Sequence, residues 1–246
     1  MPEPPVGGPS VLAIGAARAA FTDRRAGISL TPEEVERLGP KTAARVRGDA
    51  RAKVAASFGL ASGRVVYMRQ THGTEVRHVS APCAAEAPSV DGVCTTDVSL
   101  ALAVLVADCA PVLLADPVGG VVGAAHAGRP GVAGGIVPRL LELMTAHGAE
   151  RPRVTALVGP AVCGLCYEVP ARLREETAAA APGAWATTRR GTPSVDLRAA
   201  IEVQLRSAGV SDVRHDRRCT YESPELFSYR REGPTGDFAG YVWLEP

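Results

Sequence analysis

Cys109 and His126 flank a segment whose pattern brings a thiol and an imidazole close together. Two apolar runs, 112–115 and 121–125, are separated by a turn-forming stretch of Asp, Pro and Gly, so the sequence predicts a β-hairpin. With the turn centred near Val118, antiparallel pairing places Cys109 opposite His126. Directly opposed residues have Cα atoms ~4.5–5.5 Å apart. A thiolate and an imidazole at that separation can share a metal ion or form a nucleophile–base pair.

His72 is the third candidate ligand. It follows a predicted strand at 64–69 and precedes Gly73, a strand end of the kind where binding residues gather. One Cys and two His supply three protein ligands and leave the fourth tetrahedral position open, as in catalytic zinc sites. The residue types alone also allow a plainer interpretation, in which Cys109 is a small buried residue and His126 a hydrogen-bonded core histidine.

Composition limits the classes of function. The chain has 246 residues, with 27 Lys and Arg against 26 Asp and Glu and a formal net charge of +1. This balance argues against binding of nucleic acid or an anionic membrane as the main task, because those partners need a basic surface. No apolar run reaches the length of a membrane span. The N-terminus lacks the basic start of a secretory signal, so we expect a cytoplasmic protein whose six cysteines are thiols or metal ligands.

The elements that must position these residues alternate between helix and strand. Residues 1–10 are rich in Pro and Gly and predict a flexible N-terminus, followed by a single domain over 11–246. Because the hairpin interrupts a parallel pattern, we expect a mixed α/β domain. The predicted helices are 37–57, 131–146 and 197–207, and the predicted strands are 64–69, 100–107, 112–115, 121–125, 154–158 and 241–244.

Distinctive motifs run along nearly the whole chain. They are FTDR at 21–24, QTHG at 70–73, DGV at 91–93, ADCAPV at 107–112, HAG at 126–128, GPAV at 159–162, CYEV at 166–169, VDL at 195–197 and FSYRR at 227–231. In this order they resemble the YfiH/laccase-domain family, which is also called multicopper polyphenol oxidase, purine nucleoside phosphorylase or peptidoglycan editing factor. The resemblance implies an α/β sandwich with mixed β-sheets.

The resemblance also implies a site and an activity. His72, Cys109 and His126 fall on family metal ligands, usually described as binding zinc, and Arg24 falls near the same pocket. The expected activity is phosphorolysis of adenosine, inosine or methylthioadenosine to base and ribose-1-phosphate, together with hydrolytic deamination of adenosine. Cys109, His126 and Arg24 are the expected catalytic residues, and Arg24 with Arg51 is expected to hold the anion. The expected partners are a small-molecule nucleoside and phosphate, with the protein acting as a monomer or small homo-oligomer.

Gly128 and Gly131 are further candidates for substrate binding. They belong to a glycine-rich stretch that opens the predicted helix at 131–146, and backbone N–H groups at such an end can hold phosphate. An equally good interpretation is that these glycines permit close packing beside the metal site.

Two other activities stay open. A copper-dependent polyphenol oxidase is the older family label, but a multicopper enzyme needs a large set of histidines and the chain has five. A metal-independent cysteine hydrolase that edits peptidoglycan precursors would use Cys109 as nucleophile and His126 as base. Activity that survives a chelator would favour the hydrolase.

The chain departs from the family pattern at three places. Position 50 is Ala where the family has Asn before the arginine, Arg129-Pro130 replaces a usual Trp-Arg, and Asp237 replaces a usual Arg. If those family arginines contact an anion, the substrate preference here has shifted.

Two further motifs have plainer interpretations. Cys163 and Cys166 form a C-x-x-C pattern, which fits a redox pair or half a zinc site, and the sequence has no second such pattern. The surrounding family match favours a pocket wall for Cys166. Arg230 and Arg231 are expected to be solvated surface charges.

Overall fold

Thirteen strands and seven α-helices are present in residues 11–82 and 87–245, which are the residues described by the computed structural model. The predicted flexible segment 1–10 lies outside them. The strands are β1 (Val11–Ile14), β2 (Ala17–Phe21), β3 (Val65–Val66), β4 (Val76–His78), β5 (Gly92–Thr95), β6 (Ala101–Val106), β7 (Ala110–Asp116), β8 (Val121–Ala127), β9 (Thr155–Val158), β10 (Trp185–Thr187), β11 (Pro193–Val195), β12 (Asp212–His215) and β13 (Phe238–Leu244). The helices are α1 (Pro32–Leu38), α2 (Pro40–Ser57), α3 (Arg129–Ala133), α4 (Ile136–Ala146), α5 (Ala171–Ala180), α6 (Leu197–Ser207) and α7 (Tyr229–Glu232).

Two large sheets organise the molecule. One has the strand order β1-β2-β13-β6-β3 and the other the order β12-β9-β7-β8-β5-β4, while β10 and β11 form a separate antiparallel pair. Each large sheet mixes directions, because β3 runs parallel to β6, β4 to β5 and β12 to β9, and the remaining neighbours are antiparallel. The predicted α/β sandwich with mixed sheets is confirmed.

The core lies in three layers around these sheets. Because strand side chains alternate between faces, Leu113 packs between the two sheets. Its neighbours Val112 and Leu114 pack on the opposite face, against α4 and α6. On the outer face of the five-stranded sheet, Val54 of α2 packs with Tyr241 of β13. The central strands β7 and β8 are therefore buried on both faces, which holds the hairpin rigidly.

Local signals located most elements, and tertiary context changed their ends. The predicted helix 197–207 matches α6 at both ends, and Asp196 caps it by accepting a hydrogen bond from Ala199. The predicted helix 131–146 is instead two helices, because Gly135 adopts a left-handed φ of 81° between them. The predicted strand 64–69 is paired only over its first residues, as the short β3.

The hairpin prediction was right in its strands and wrong in its register. Val112 pairs with Ala125 and Pro111 with His126, so the predicted pairing of Cys109 with His126 is shifted by two residues. The turn is centred between Val118 and Gly119, whereas the predicted pairing of Cys109 with His126 centres it between Pro117 and Val118. Because strand side chains repeat every two residues, a shift of two keeps the same residues on the same face. Cys109 and His126 become diagonal rather than direct neighbours, still within reach.

The helices were compared with the length and apolar character of a membrane-spanning segment. No helix within residues 11–82 and 87–245 combines the length and apolar character needed to cross a bilayer. The cytoplasmic location expected from the sequence stays a prediction.

Candidate metal centre and active site

His72, Cys109 and His126 converge at the open end of the β7–β8 hairpin, in the middle of the six-stranded sheet. His72 lies in the loop after β3, Cys109 directly precedes β7, and His126 lies in β8. One potential ligand atom of each lies within 4.8 Å of those of the other two, and the imidazole rings of His72 and His126 are 4.6 Å apart at 85°. His126 is buried and Cys109 half-buried, whereas His72 is exposed. The three residues predicted as metal ligands are thus brought together with one side open.

Asp91 organises this cluster from beneath. Its carboxylate is fully buried and accepts hydrogen bonds from the backbone N–H groups of Thr71, His72 and Gly73, at 2.8–3.1 Å. It also lies 2.8 Å from Nδ1 of His126, which leaves Nε2 of that ring for the cluster. A carboxylate behind a ligating histidine fixes its tautomer and orientation in many metal sites. One buried charge therefore positions two of the three candidate ligands.

Two strained backbone positions border the cluster. His72 has φ 60° and Asp108 has φ 92°, the two non-glycine residues with positive φ in the described part of the chain. Asp108 is held by hydrogen bonds from Oγ1 of Thr220, at 2.5 Å, and from the backbone N–H of Arg230, at 2.6 Å. Strain of this kind persists where surrounding contacts enforce it, and it is common at functional sites. Here it orients the side chains of His72 and Cys109.

The electrostatics of the cluster favour an ionised thiol. Burial raises the pKa of Cys109, but hydrogen bonds with His126 and His72 outweigh it and lower the pKa to about 7. Burial lowers the pKa of His126, while its hydrogen bonds to Asp91 and Cys109 raise it to about 9. For Asp91, burial opposes ionisation, and the hydrogen bond with His126 leads the contacts that nevertheless lower its pKa. A thiolate ligand is thus readily available near neutral pH.

The donor set fits a catalytic metal ion. Two imidazoles and a thiolate are ligands that zinc prefers, and three protein ligands leave a position for water or substrate. Gly128 completes the fit, because a Cβ there would lie 3.0 Å from Sγ of Cys109 and 3.1 Å from Cδ2 of His72. This contact agrees with the interpretation that Gly128 permits close packing beside the cluster, and the predicted substrate contact of Gly128 stays a prediction.

Two cavities meet at the cluster. The larger, of about 500 Å³, includes Gln70 and Asp237 in its wall. The smaller, of about 340 Å³, includes Arg129 and Arg230. His72, Cys109 and the exposed ring of Tyr229 line both. Volumes of this size suit small molecules, and the arrangement allows two of them to approach the same three side chains.

Comparison with known proteins assigns the family. Residues 18–245 match the family model described as multicopper polyphenol oxidoreductase laccase. The chain belongs to this family. A purine nucleoside phosphorylase of Streptomyces griseus is 50% identical over 235 residues, covering 94% of this chain and 96% of the relative. A purine nucleoside phosphorylase of Mycobacterium tuberculosis is 47% identical over 231 residues, covering 93% and 92% respectively.

Solved structures agree with this assignment. YlmD of Geobacillus stearothermophilus superposes with a TM-score of 0.83 at 28% identity, covering 95% of this chain and 93% of that one. YfiH of Bacillus licheniformis has a TM-score of 0.82 at 26% identity and covers 97% of each chain. The resemblance to the YfiH/laccase-domain family is confirmed.

In this member of the laccase-like family, the side chains of Arg24 and Arg51 bind other groups of the protein. The guanidinium of Arg24 donates to the carbonyl of Leu226, pairs with Glu232 and lies 4.7 Å from the ring of Phe227. Arg51 donates to the carbonyl of Ile28 and stacks on Tyr67. Neither lines the two cavities as far as residues 11–82 and 87–245 define them. Their catalytic and anion-binding roles stay predictions.

Gly131 also has a packing role beside the cluster. It is buried in α3, and a Cβ there would lie 2.9 Å from the carbonyl oxygen of Gly73, next to His72. This contact agrees with the interpretation that the glycines permit close packing. The predicted substrate contact of Gly131 stays a prediction.

Two of the three departures from the family pattern, Arg129-Pro130 and Asp237, face the cavities, and Ala50 is not in the wall of either. Arg129 and Pro130 line the smaller cavity, and Asp237 lines the larger one. Arg230, expected to be a solvated charge, lines the smaller cavity and stacks over Tyr167 at 5.0 Å. Its neighbour Arg231 donates to several backbone carbonyls and is not simply solvated. The sequence offered no signal for these positions beyond the motif itself, because a charged residue in a loop is usually solvated.

Proposed function

We propose that this protein is a zinc-dependent purine nucleoside phosphorylase that binds nucleoside in the larger cavity and phosphate in the smaller one. The observation that carries the proposal is the pair of cavities meeting at His72 and Cys109. Phosphorolysis requires two substrates to reach one reacting carbon, which this arrangement permits. The names of the relatives from Streptomyces griseus and Mycobacterium tuberculosis support the same activity.

The smaller cavity carries the charge that phosphate needs. Arg129 and Arg230 line it, and guanidinium groups bind phosphate oxygens in paired, charge-assisted hydrogen bonds. Arg230 keeps one N–H bonded to the carbonyl of Glu168, which orients its side chain. Among the described residues, Arg129 and Arg230 line this cavity, whereas the predicted anion-binding pair, Arg24 and Arg51, does not.

The larger cavity offers polar groups for a nucleoside. Asp237 lines it, and burial raises the pKa of this carboxyl despite a hydrogen bond from Oγ of Ser29. That bond uses Oδ2, so Oδ1 is available to face a ligand. When a phosphate oxygen bonds to C1′ of the ribose, the C1′–N9 bond breaks and its electron pair moves to the purine. Asp237 lies in the cavity proposed for the nucleoside, where a protonated carboxyl would donate to a ring nitrogen of the departing base.

The remaining residues hold the reacting centre. A zinc ion bound by His72, Cys109 and His126 would supply a Lewis-acidic centre that stabilises developing negative charge. Asp91 keeps Nε2 of His126 directed at this centre. Tyr229 lines both cavities at their exposed side, beside the proposed reacting centre.

Product analysis with and without phosphate tests the proposal. The purified protein is incubated with inosine, adenosine or methylthioadenosine, and base, ribose-1-phosphate and ammonia are quantified beside the metal content. We expect base and ribose-1-phosphate in equal amounts, only when phosphate is present, and with about one zinc ion bound at the His72, Cys109 and His126 cluster. Absence of any phosphate-dependent product would overturn the proposal.

The other outcomes separate the alternatives. Ammonia release without phosphate would indicate adenosine deamination. Several copper ions per chain with oxidation of phenols would indicate the polyphenol oxidase, although the described residues gather one histidine-containing cluster. Activity on peptidoglycan fragments that survives a chelator would indicate the cysteine hydrolase.

Arginine variants test the assignment of the smaller cavity. Arg129→Gln and Arg230→Gln are each expected to raise the KM for phosphate about tenfold, because each removes one charge-assisted contact. Arg172→Gln is the matched control, since Arg172 is exposed on α5 and pairs only with Glu176. Equal KM values for phosphate in all three variants would show that phosphate does not bind in this cavity.

A further inference from the structure

A second group of potential metal ligands lies outside the cluster just described. Cys163, Cys166, Cys219 and Glu222 each have a ligand atom within 4.8 Å of those of the other three. Four ligands about 2.3 Å from a tetrahedral zinc ion lie roughly 3.8 Å from one another, so small side-chain movements would suffice for binding. The C-x-x-C pattern of the sequence indicated two neighbouring thiols, and the fold adds the thiol of Cys219 as a third.

The fold brings these residues together through two parallel strands. The chain leaves β9 and β12 at the same edge of the sheet, and their pairing continues as a bridge between Ala161 and Cys219. The turn from Cys163 to Cys166 is closed by a backbone hydrogen bond from the N–H of Cys166 to the carbonyl of Cys163. The backbone N–H of Cys163 also donates to Sγ of Cys219, at 3.4 Å. Donors of this kind stabilise thiolates at a metal site.

The charge balance around the group fits a bound cation. Three thiolates and the carboxylate of Glu222 around a divalent cation leave a net negative charge. Arg189 offsets it, because its guanidinium pairs with Glu222 and donates to Sγ of Cys166 at 3.4 Å. A disulfide would use two of the three thiols and would give neither Glu222 nor Arg189 a role.

We propose that Cys163, Cys166, Cys219 and Glu222 form a second, closed metal site that binds zinc and has a structural role. Four protein ligands leave no position for substrate, which distinguishes this site from the open cluster at His72. Cys219 is buried, Cys163 and Cys166 are half-buried, and Glu222 is exposed at the outer side of the group.

The site would fasten two loops that support the active site. Thr220, next to Cys219, donates to Asp108, which holds the strained backbone before Cys109. Tyr167, next to Cys166, lines the smaller cavity. Zinc at the second site therefore fixes both loops, and its loss is expected to lower thermal stability and activity together.

Metal analysis in an active-site variant isolates the second site. The double variant His72→Ala, Cys109→Ala removes two of three ligands from the open cluster while leaving the second group intact. We expect this full-length variant to retain about one zinc ion per chain. Replacing that zinc with cobalt is expected to give intense near-ultraviolet absorption from several thiolate ligands. Adding Cys163→Ser and Cys219→Ser to the same background should abolish both the zinc and the absorption.

Two results would overturn the second site. One is a double variant that is folded but holds no zinc. The other is a thiol titration in denaturant, without reductant, that finds two thiols fewer than after reduction, because the group then holds a disulfide.

A milder pair of variants decides the case if the serine variants fail to fold. Glu222→Gln replaces one ligand near the surface, and Glu225→Gln is the matched control three residues away. We expect the zinc affinity of the second site to fall at least about tenfold in Glu222→Gln only. Equal affinities in both variants would exclude Glu222 as a ligand and overturn the proposed four-ligand site.

Discussion

A fully buried carboxylate lies at each end of the β7–β8 hairpin, and the two carboxylates have different roles. At the turn end, Asp116 accepts hydrogen bonds from the backbone N–H groups of Gly119 and Glu150 and pairs with Arg153. At the open end, Asp91 accepts from the loop that contains His72 and from His126. Both carboxylates satisfy backbone donors and one cationic or ionisable side chain. The partners of Asp116 stabilise the turn, whereas the partners of Asp91 include two candidate metal ligands.

The difference shows how one physical device serves two purposes. A buried carboxylate must collect several donors to offset its lost hydration. Around Asp116 these donors close the turn and fasten the segment after α4. Around Asp91 the same requirement fixes a left-handed backbone at His72 and the orientation of His126. Changes at the turn end should therefore alter stability, and changes at the open end should alter metal binding and catalysis.

The largest effect is expected from Asp91→Asn. The neutral amide cannot accept from Nδ1 of His126 and from three backbone N–H groups with the strength of a carboxylate, so His72 and His126 lose their positions. We expect zinc affinity at the open cluster to fall about 10–100-fold and kcat/KM by at least as much. Isothermal titration with zinc and steady-state kinetics measure both. An Asp91→Asn enzyme with normal zinc affinity would show that the ligands need no such support.

The next largest effect on activity is expected from Gly128→Ala, and Gly119→Ala is the matching substitution at the turn end of the hairpin. The new methyl group at position 128 would meet Sγ of Cys109, whereas at position 119 it would lie 2.5 Å from the carbonyl oxygen of Gly148. We expect Gly128→Ala to lower kcat/KM more than about tenfold with modest loss of stability. Gly119→Ala should cost about 1–3 kcal/mol of stability and leave the activity of the folded enzyme unchanged. Denaturant unfolding and kinetics on both variants test the contrast, which fails if the two behave alike.

Asp116→Asn is expected to act on stability alone. It removes the charge that pairs with Arg153 and weakens the contacts with Gly119 and Glu150, for a loss of roughly 2–3 kcal/mol. Urea unfolding at neutral pH measures the loss, and zinc content and kcat/KM of the folded fraction should match the unaltered protein. A tenfold fall in kcat/KM would mean that the turn end communicates with the cluster.

The smallest effect is a pH dependence at the turn end. Burial alone would raise the pKa of Asp116, but the hydrogen bond from Arg153 and those from the backbone lower it. A carboxyl with a lowered pKa in the folded state contributes stability above its unfolded pKa of about 3.9 and loses it as the pH falls through the folded value. We therefore expect the stability difference between the unaltered protein and Asp116→Asn to shrink below about pH 4. A difference that stays constant from pH 7 to pH 3 would exclude an ionised Asp116.

The candidate ligands could be predicted from the sequence because their signals are local. The turn between the two apolar runs predicts the hairpin, and motif order predicts His72, Cys109 and His126 as one site. The predicted register was wrong by two residues, but Cys109 and His126 still lie on the same face, since side chains two apart share a face. An error of one residue would have placed Cys109 and His126 on opposite faces.

The supporting residues depended on contacts far apart in the chain. Asp91 joins His72 and His126, and Thr220 reaches Asp108 from 112 positions away. Arg129 and Arg230 line one cavity although 101 positions separate them in the sequence. The spacing of such residues in the sequence does not show that they meet, because pairing and packing of β7, β8 and β9 bring them together.

By itself, the amino-acid sequence determined the types of the candidate ligands, the hairpin that contains His126 and adjoins Cys109, the balanced charge and the membership of a known family. Only the tertiary structure decided that a buried carboxylate orients the histidines, that two cavities meet at the cluster, and that three cysteines converge. The physical reason is that residue type and short-range periodicity are written in local sequence, whereas burial and long-range hydrogen bonding exist only after the sheets have packed.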